Sequence, residues 1–183
     1  EYTPQGDEIV IDLDPGAAFG TGAHATTAMC LRWLEHIVCP QMRVYDVGCG
    51  SGILAIAASK LGAGEVIAMD YDPVAVSVAE ENVRANNVTN VAVFESDLLS
   101  ICAGTEPAEL ITANIIADII IRLFDQLDRH LAPGGILLAS GIIDDRIVDV
   151  ERAATEHGYT VLDMTCEKEW AAMIIRRSSE LKL

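Results

Sequence analysis

Asp46-Val47-Gly48-Cys49-Gly50-Ser51-Gly52 places a glycine at every second position, directly after one apolar run and directly before another. Glycine in such a turn lets the backbone pass against a ligand, because a Cβ would collide with it. Gly48 and Gly50 are therefore candidate cofactor contacts. About twenty residues on, a third apolar run, Val66 to Met69, ends in Asp70, a carboxylate placed to accept both hydrogen bonds of a ribose diol. Asn114 follows a further apolar run and sets a neutral amide beside the same candidate site. The stretch from Asp14 to Thr27 is a glycine-rich loop carrying one aromatic, Phe19, which could close over a ligand. Thr26 and Thr27 stand at a helix start, where a hydroxyl caps the helix or meets a carboxylate, and His24 serves either as a base or as a structural hydrogen-bonding group. Asp97 reads equally as a partner for an adenine amino group or as a turn aspartate.

The spacing of the turn narrows the cofactor. The dinucleotide fingerprint is G-x-G-x-x-G, with a pyrophosphate held at the N-terminus of the following helix. Here the third glycine, Gly52, comes one residue early, Ile53 takes its place, and the acidic Asp46 precedes the turn. A carboxylate opposes a diphosphate but favours a cation. The pattern therefore suits S-adenosyl-L-methionine, which has a sulfonium and no phosphate, over a nicotinamide dinucleotide. A glycine-rich turn that binds nothing is the plain alternative.

The elements that must hold these residues follow from periodicity and punctuation. Strands are expected over Glu8–Leu13, Arg43–Val47, Glu65–Met69, Val91–Glu95, Leu110–Ala113, Ile136–Ser140, Tyr159–Cys166 and Trp170–Arg176. Helices are expected over Thr26–Val38, from Gly52 to about Leu61, from Pro73 to about Asn86, from about Asp118 to Leu131, and over Asp144–His157. Ala132-Pro133-Gly134-Gly135 reads as a turn, and Arg176–Leu183 as a frayed tail. Alternating strands and helices imply a doubly wound, mainly parallel α/β sheet, and the last two strands imply an antiparallel hairpin at its edge. Such an arrangement resembles the Rossmann-like, seven-stranded architecture usual in class I S-adenosylmethionine-dependent methyltransferases. The 183 residues read as one domain, with residues 1–38 forming a strand, loop and helix over the site and 39–183 the core.

Twelve basic residues face twenty-eight acidic ones, a net charge of −16. Such a surface repels phosphate backbones, which opposes direct nucleic-acid binding, and attracts a basic protein. Five scattered cysteines form no metal-binding or disulfide pattern, so no metal is expected and a reducing cytoplasm is. No unbroken apolar stretch approaches the roughly 18 residues of a membrane span. The N-terminus lacks the features of a signal peptide and reads as a start in mid-protein.

The run Asp14-Pro15-Gly16-Ala17-Ala18-Phe19-Gly20-Thr21-Gly22-Ala23-His24-Ala25-Thr26-Thr27 closely resembles the motif loop of the PrmA family, bacterial methyltransferases that modify amino groups of large-subunit ribosomal protein eleven. Asp46 to Ala58 is similar to that family's cofactor turn, and Asn114-Ile115-Ile116-Ala117 to its Asn-Ile-Leu-Ala segment. Pro133-Gly134-Gly135, Ser140-Gly141-Ile142 and Glu169-Trp170 extend the resemblance over nearly the whole chain. The resemblance implies that Thr27, Gly48, Asp70 and Asn114 contact S-adenosylmethionine, that Phe19 lines its site, and that Asn114 also lies beside the acceptor amine. It implies methylation of lysine or α-amino groups of a ribosomal protein. The family's N-terminal substrate-recognition domain has no counterpart in these residues. A different acceptor, or a cofactor-binding module that needs another domain for activity, is the alternative reading, and the sequence carries no information on oligomeric state.

Overall fold

A computed structural model describes residues 6, 8–14, 22 and 24–180. Five α-helices and seven strands alternate through most of the chain: α1 (Ala25–Ile37), β1 (Arg43–Val47), α2 (Ile53–Lys60), β2 (Glu65–Asp70), α3 (Pro73–Ala85), β3 (Val91–Glu95), β4 (Ala108–Asn114), α4 (Ala117–His130), β5 (Leu131–Ile143), α5 (Ile147–Glu156), β6 (Tyr159–Glu167) and β7 (Trp170–Arg177). The strands form a single sheet in the order β3-β2-β1-β4-β5-β7-β6. Every pairing is parallel except β5 with β7 and β7 with β6. The expected doubly wound sheet with an antiparallel edge hairpin is therefore present.

The central strands are buried on both faces, and their side chains alternate between two cores. Tyr45 and Val47 of β1, Ile111 and Ala113 of β4, and Leu137 and Ala139 of β5 pack with α4 and α5. Val44, Leu110 and Leu138 from the same strands pack with α1, α2 and α3. In α4 the buried residues Ala117, Ile120, Leu123, Phe124 and Leu127 recur at helical spacing and form one apolar stripe. Asp72 accepts from the Val74 N–H at 2.9 Å and Pro73 occupies the first turn, as the capping pattern predicts for α3.

Four expectations are corrected. Glu8–Leu13 is not a strand, because its backbone bonds to side chains instead of to a neighbouring strand. The amide of Asp12 donates to Asn86 Oδ1 and that of Asp14 to Asn82 Oδ1, both at 3.0 Å. In return Asn86 Nδ2 donates to the Asp12 carbonyl and Asn82 Nδ2 to that of Asp14. Two asparagines one helical turn apart thus act as a substitute strand edge. The 132–135 segment is not a separate turn but a bulge within β5: pairing with β4 passes from Ala108–Leu131 to Leu110–Ile136. The helix expected over Asp144–His157 opens with a 3₁₀ turn, Asp144–Arg146, so α5 begins only at Ile147. Finally, Arg176 and Arg177 complete β7 instead of fraying, and the Ser178 N–H is held by the Gly158 carbonyl at 2.8 Å.

Asn82 also donates to the Ser51 carbonyl in the glycine turn at 2.9 Å. Asn82→Ala removes the hydrogen bonds to the buried Ser51 carbonyl and to the Asp14 backbone. The substitution is expected to cost about 1–2 kcal/mol of stability, measured by urea unfolding. An unchanged midpoint would show that the clamp is dispensable.

Candidate functional site

The C-terminal ends of β1, β2, β3 and β4 open onto one cavity of about 760 Å³. Ligands in open α/β sheets collect at this edge, between the strands where the order reverses. Thr27, Gly48, Gly50, Asp70 and Asn114 all line it, so the structure brings together every candidate cofactor contact that lies within the described residues. Phe19 lies outside them.

The glycine turn is shaped by close contact. Gly48 has a φ of +69°, and a Cβ there would sit 2.3 Å from Ile115 Cγ2. Gly141 has a φ of +81°, and its Cβ would meet the Ile115 carbonyl oxygen at 2.5 Å. The segment after Asn114 is therefore wedged between two glycines, and the Ile115 N–H is fixed by the Ser140 carbonyl at 3.0 Å. This packing sets where the Asn114 amide can lie.

Asp46 decides what the turn can hold. It is 1% exposed. Its Oδ1 accepts from Thr112 Oγ1 at 2.6 Å and its Oδ2 from the Ala55 N–H at 3.1 Å. Ala55 lies in the first turn of α2, so the chain's own carboxylate occupies the helix N-terminus that a dinucleotide site offers to phosphate. The acidic residue before the turn is expected to act as a carboxylate near the ligand. The structure makes it a buried strut, with both oxygens already accepting from the fold, whose charge still faces the cavity.

Burial pushes the Asp46 carboxyl up to about 6, against the pull of the Thr112 and Ala55 hydrogen bonds and with a further push from Asp70. The folded value lies above that of an unfolded aspartate, near 4. The stabilisation linked to this group is therefore complete below about pH 4 and is lost as pH rises through about 6. The thermal midpoint of the unliganded chain, taken relative to Asp46→Asn, is expected to fall as pH rises from about 4 to about 6 and to level off above that. A flat difference would mean that the carboxylate is not desolvated.

Asp70 closes the turn from the other side. Its Oδ2 accepts from the Gly50 N–H at 2.9 Å and its Oδ1 from the Asp72 N–H at 3.0 Å. Each oxygen keeps a further lone pair for the cavity that it lines. The carboxylate is thereby held rigid before any ligand arrives.

Asn114 Nδ2 lies 3.4 Å from Thr27 Oγ1, while Asn114 Oδ1 is buried and takes no hydrogen bond among the described residues. A buried acceptor without a donor costs free energy unless a ligand supplies one. The threonines do not cap α1. His24 is its N-cap, with Nδ1 3.4 Å from the Thr26 nitrogen and 2.8 Å from Thr26 Oγ1, and the His24 ring meets the Trp170 ring edge-on at 5.2 Å. His24 thus makes the structural hydrogen bonds of a cap, and it also lines the cavity.

Sequence reasoning gave no cavity role to the far wall: Tyr71, Ser96, Leu98 and Arg122, with Ile115, Ile116, Gly141 and Trp170, which had entered only as motif positions. Tyr71, Ser96 and Ile115 directly follow strand ends, so the rule for this sheet edge could have found them. Leu98 could not have been found that way. It adopts a φ of +51°, a rare conformation for leucine, and is flanked by a Ser96 hydroxyl that donates to its carbonyl at 3.0 Å. Asp97 lines the cavity and pairs with Arg122 at 3.3 Å. The described lining thus carries three carboxylates, Asp46, Asp70 and Asp97, against the Arg122 guanidinium, which Asp97 already engages. Such a wall accepts a neutral or cationic nucleoside and opposes a diphosphate. No group of residues that could hold a metal ion occurs among the described residues.

The family model described as ribosomal protein L11 methyltransferase (PrmA) matches residues 1–178. The ribosomal protein L11 methyltransferase of Caldanaerobacter subterraneus subsp. tengcongensis is 54% identical over 177 residues, 97% of this chain and 56% of that protein. That of Heliobacterium modesticaldum is 51% identical, again over 97% of this chain and 56% of the relative. The chain thus spans about half the length of the curated relatives it matches. The crystal structure of a ribosomal protein L11 methylase from Lactobacillus delbrueckii subsp. bulgaricus superposes with a TM-score of 0.89 at 37% identity, covering 97% of this chain and 90% of that one. A Thermus thermophilus 16S rRNA N2 G1207 methyltransferase, solved with AdoMet and guanosine, shares the fold alone, with a TM-score of 0.73 at 17% identity over 87% of this chain and 45% of that one. With a matching family model over nearly its whole length, the chain belongs to the ribosomal protein L11 methyltransferase (PrmA) family.

Proposed function

We propose that this chain transfers a methyl group from S-adenosyl-L-methionine to an amino group of a basic protein, with ribosomal protein L11 as the acceptor. The observation that carries the reading is the Asp46 carboxylate seated in the N-terminus of α2, which disfavours phosphate and favours a sulfonium. When bound, the cofactor supplies a methyl group already on a good leaving group, so the chain need only bind, align and keep the nucleophile neutral.

Gly48 and Gly50 give the backbone approach, and Asp70 holds the ribose hydroxyls. Thr27 and Asn114 form the polar end of the cavity. Phe19, outside the described residues, keeps its role as a lining aromatic on the family resemblance alone.

Keeping the amine neutral is the harder task. A lysine with pKa about 10.4 is about 3.4 units from half-ionised at pH 7, a penalty of about 4.6 kcal/mol. A carboxylate touching the amine would deepen that penalty. The Asn114 amide oxygen can accept one N–H of the neutral amine without favouring the ammonium, and its unsatisfied Oδ1 is available for that bond. Water at the cavity mouth then takes the proton. This chemistry belongs in the cytoplasm, where ribosomal proteins are made. Among the described residues no helix is long and apolar enough to cross a membrane.

The test is intact-mass analysis of purified L11 after incubation with this chain and the methyl donor. A mass gain of one or more methyl groups is expected. Cofactor binding without any gain would assign these residues to binding alone.

A further inference from the structure

Beside the cavity mouth lies an apolar face that the fold leaves uncovered. Ile116, the N-cap of α4, is 64% exposed and also lines the cavity. Ile143, at the end of β5, is 41% exposed, and Val148, in the first turn of α5, is 67% exposed. The elements that carry Ile116 and Val148 are linked, since Arg146 donates to Asp118 in the first turn of α4 at 2.6 Å and to Asp149 in α5 at 2.8 Å. Ile143 is also paired in the sheet with Trp170, which lines the cavity, so the face continues into the site. Branched aliphatic side chains exposed together at a cavity mouth mark a contact surface.

The charge of the surround says what kind of contact. Arg146 is engaged by Asp118 and Asp149, while the exposed Asp144 and Asp145 make no ion pair among the described residues. Resting on the methyl-transfer reading above, we propose that this face seats the basic segment carrying the acceptor amine. Aliphatic residues and the stems of lysine or arginine lie on Ile116, Ile143 and Val148, and their cationic heads meet Asp144 and Asp145. Long basic side chains are suited to this, since they cover apolar surface while keeping the charge in water. The chain's net charge of −16 adds long-range attraction for such a segment. The described N-terminal residues do not compete for the face, because they run along α2 and α3, where Lys60 holds the Val10 carbonyl.

The experiment is fluorescence anisotropy with the full chain and a labelled synthetic peptide in which one lysine is flanked by leucines and arginines. Asp144→Lys/Asp145→Lys and, separately, Val148→Glu are compared with the wild type, and adenosylhomocysteine binding is measured for each by calorimetry. The proposal expects the wild type to bind the peptide, the charge-reversed variant to bind at least tenfold more weakly, and a glutamate-for-arginine peptide to regain affinity for that variant. Val148→Glu is expected to lose affinity for a peptide in which serines replace the leucines by a smaller factor than for the original. Equal peptide affinity in wild type and variants, or no binding by the wild type, overturns the proposal. If the peptide result holds but no form binds adenosylhomocysteine, the docking face stands and the methyl-transfer reading falls.

Discussion

Asn114→Ala is expected to lower the turnover of methyl transfer about 100-fold while changing cofactor affinity far less, because what is lost is the alignment of the nucleophile. The loss should not come from unfolding. Among the described residues Asn114 makes a single long side-chain hydrogen bond, to Thr27 at 3.4 Å, and its Oδ1 has no partner to abandon. The backbone at this point is fixed independently, by the Ile115–Ser140 hydrogen bond and by the close approach of Gly48 and Gly141. Single-turnover rates at saturating donor, with thermal melts alongside, separate the two effects. Asn114→Asp provides a second arm. A carboxylate beside the amine favours its charged form, so the rate of that variant should recover only at higher pH. Full activity of Asn114→Ala would remove the residue from the mechanism.

Asp70→Ala is expected to weaken adenosylhomocysteine binding by up to about 100-fold, at the upper end of the roughly 1–3 kcal/mol range for hydrogen bonds to a charged group. Two effects combine. The ribose hydroxyls lose their acceptor, and the Gly50 and Asp72 amides lose the carboxylate that fixes them. Asp70→Asn keeps one oxygen and should lose less. Calorimetry at fixed ionic strength gives both numbers, and an unchanged affinity would contradict the ribose role.

The alternation of strands and helices, and the sheet edge where the candidate site lies, were readable because they rest on strong local signals. Apolar runs broken by Gly48-Cys49-Gly50, by Asp72-Pro73 and by Lys60-Leu61-Gly62 leave few alternatives for where strands and helices begin. The failures have physical causes. Residues 8–14 alternate like a strand, but no ladder partner is available, and Asn82 and Asn86 satisfy the backbone instead. Composition cannot reveal that substitution, since the asparagines lie about 70 residues away in sequence and their face of α3 looks merely polar. Asp46 was identified as acidic and near the turn, but its engagement by Thr112 depends on β1 lying beside β4, a pairing between residues far apart in the chain. The far wall of the cavity depends on the backbone conformation of Leu98 and on the Asp97–Arg122 pair, which joins the segment after β3 to α4. Neither leaves a mark in the local sequence.

The reading of the site depends on a helix N-terminus already filled by the chain's own carboxylate. Competition calorimetry on the full chain, with adenosylhomocysteine and a nicotinamide dinucleotide, tests that reading. Adenosylhomocysteine is expected to saturate a single site and the dinucleotide to leave that titration unchanged. Saturation by the dinucleotide, with adenosylhomocysteine unable to displace it, would contradict the account.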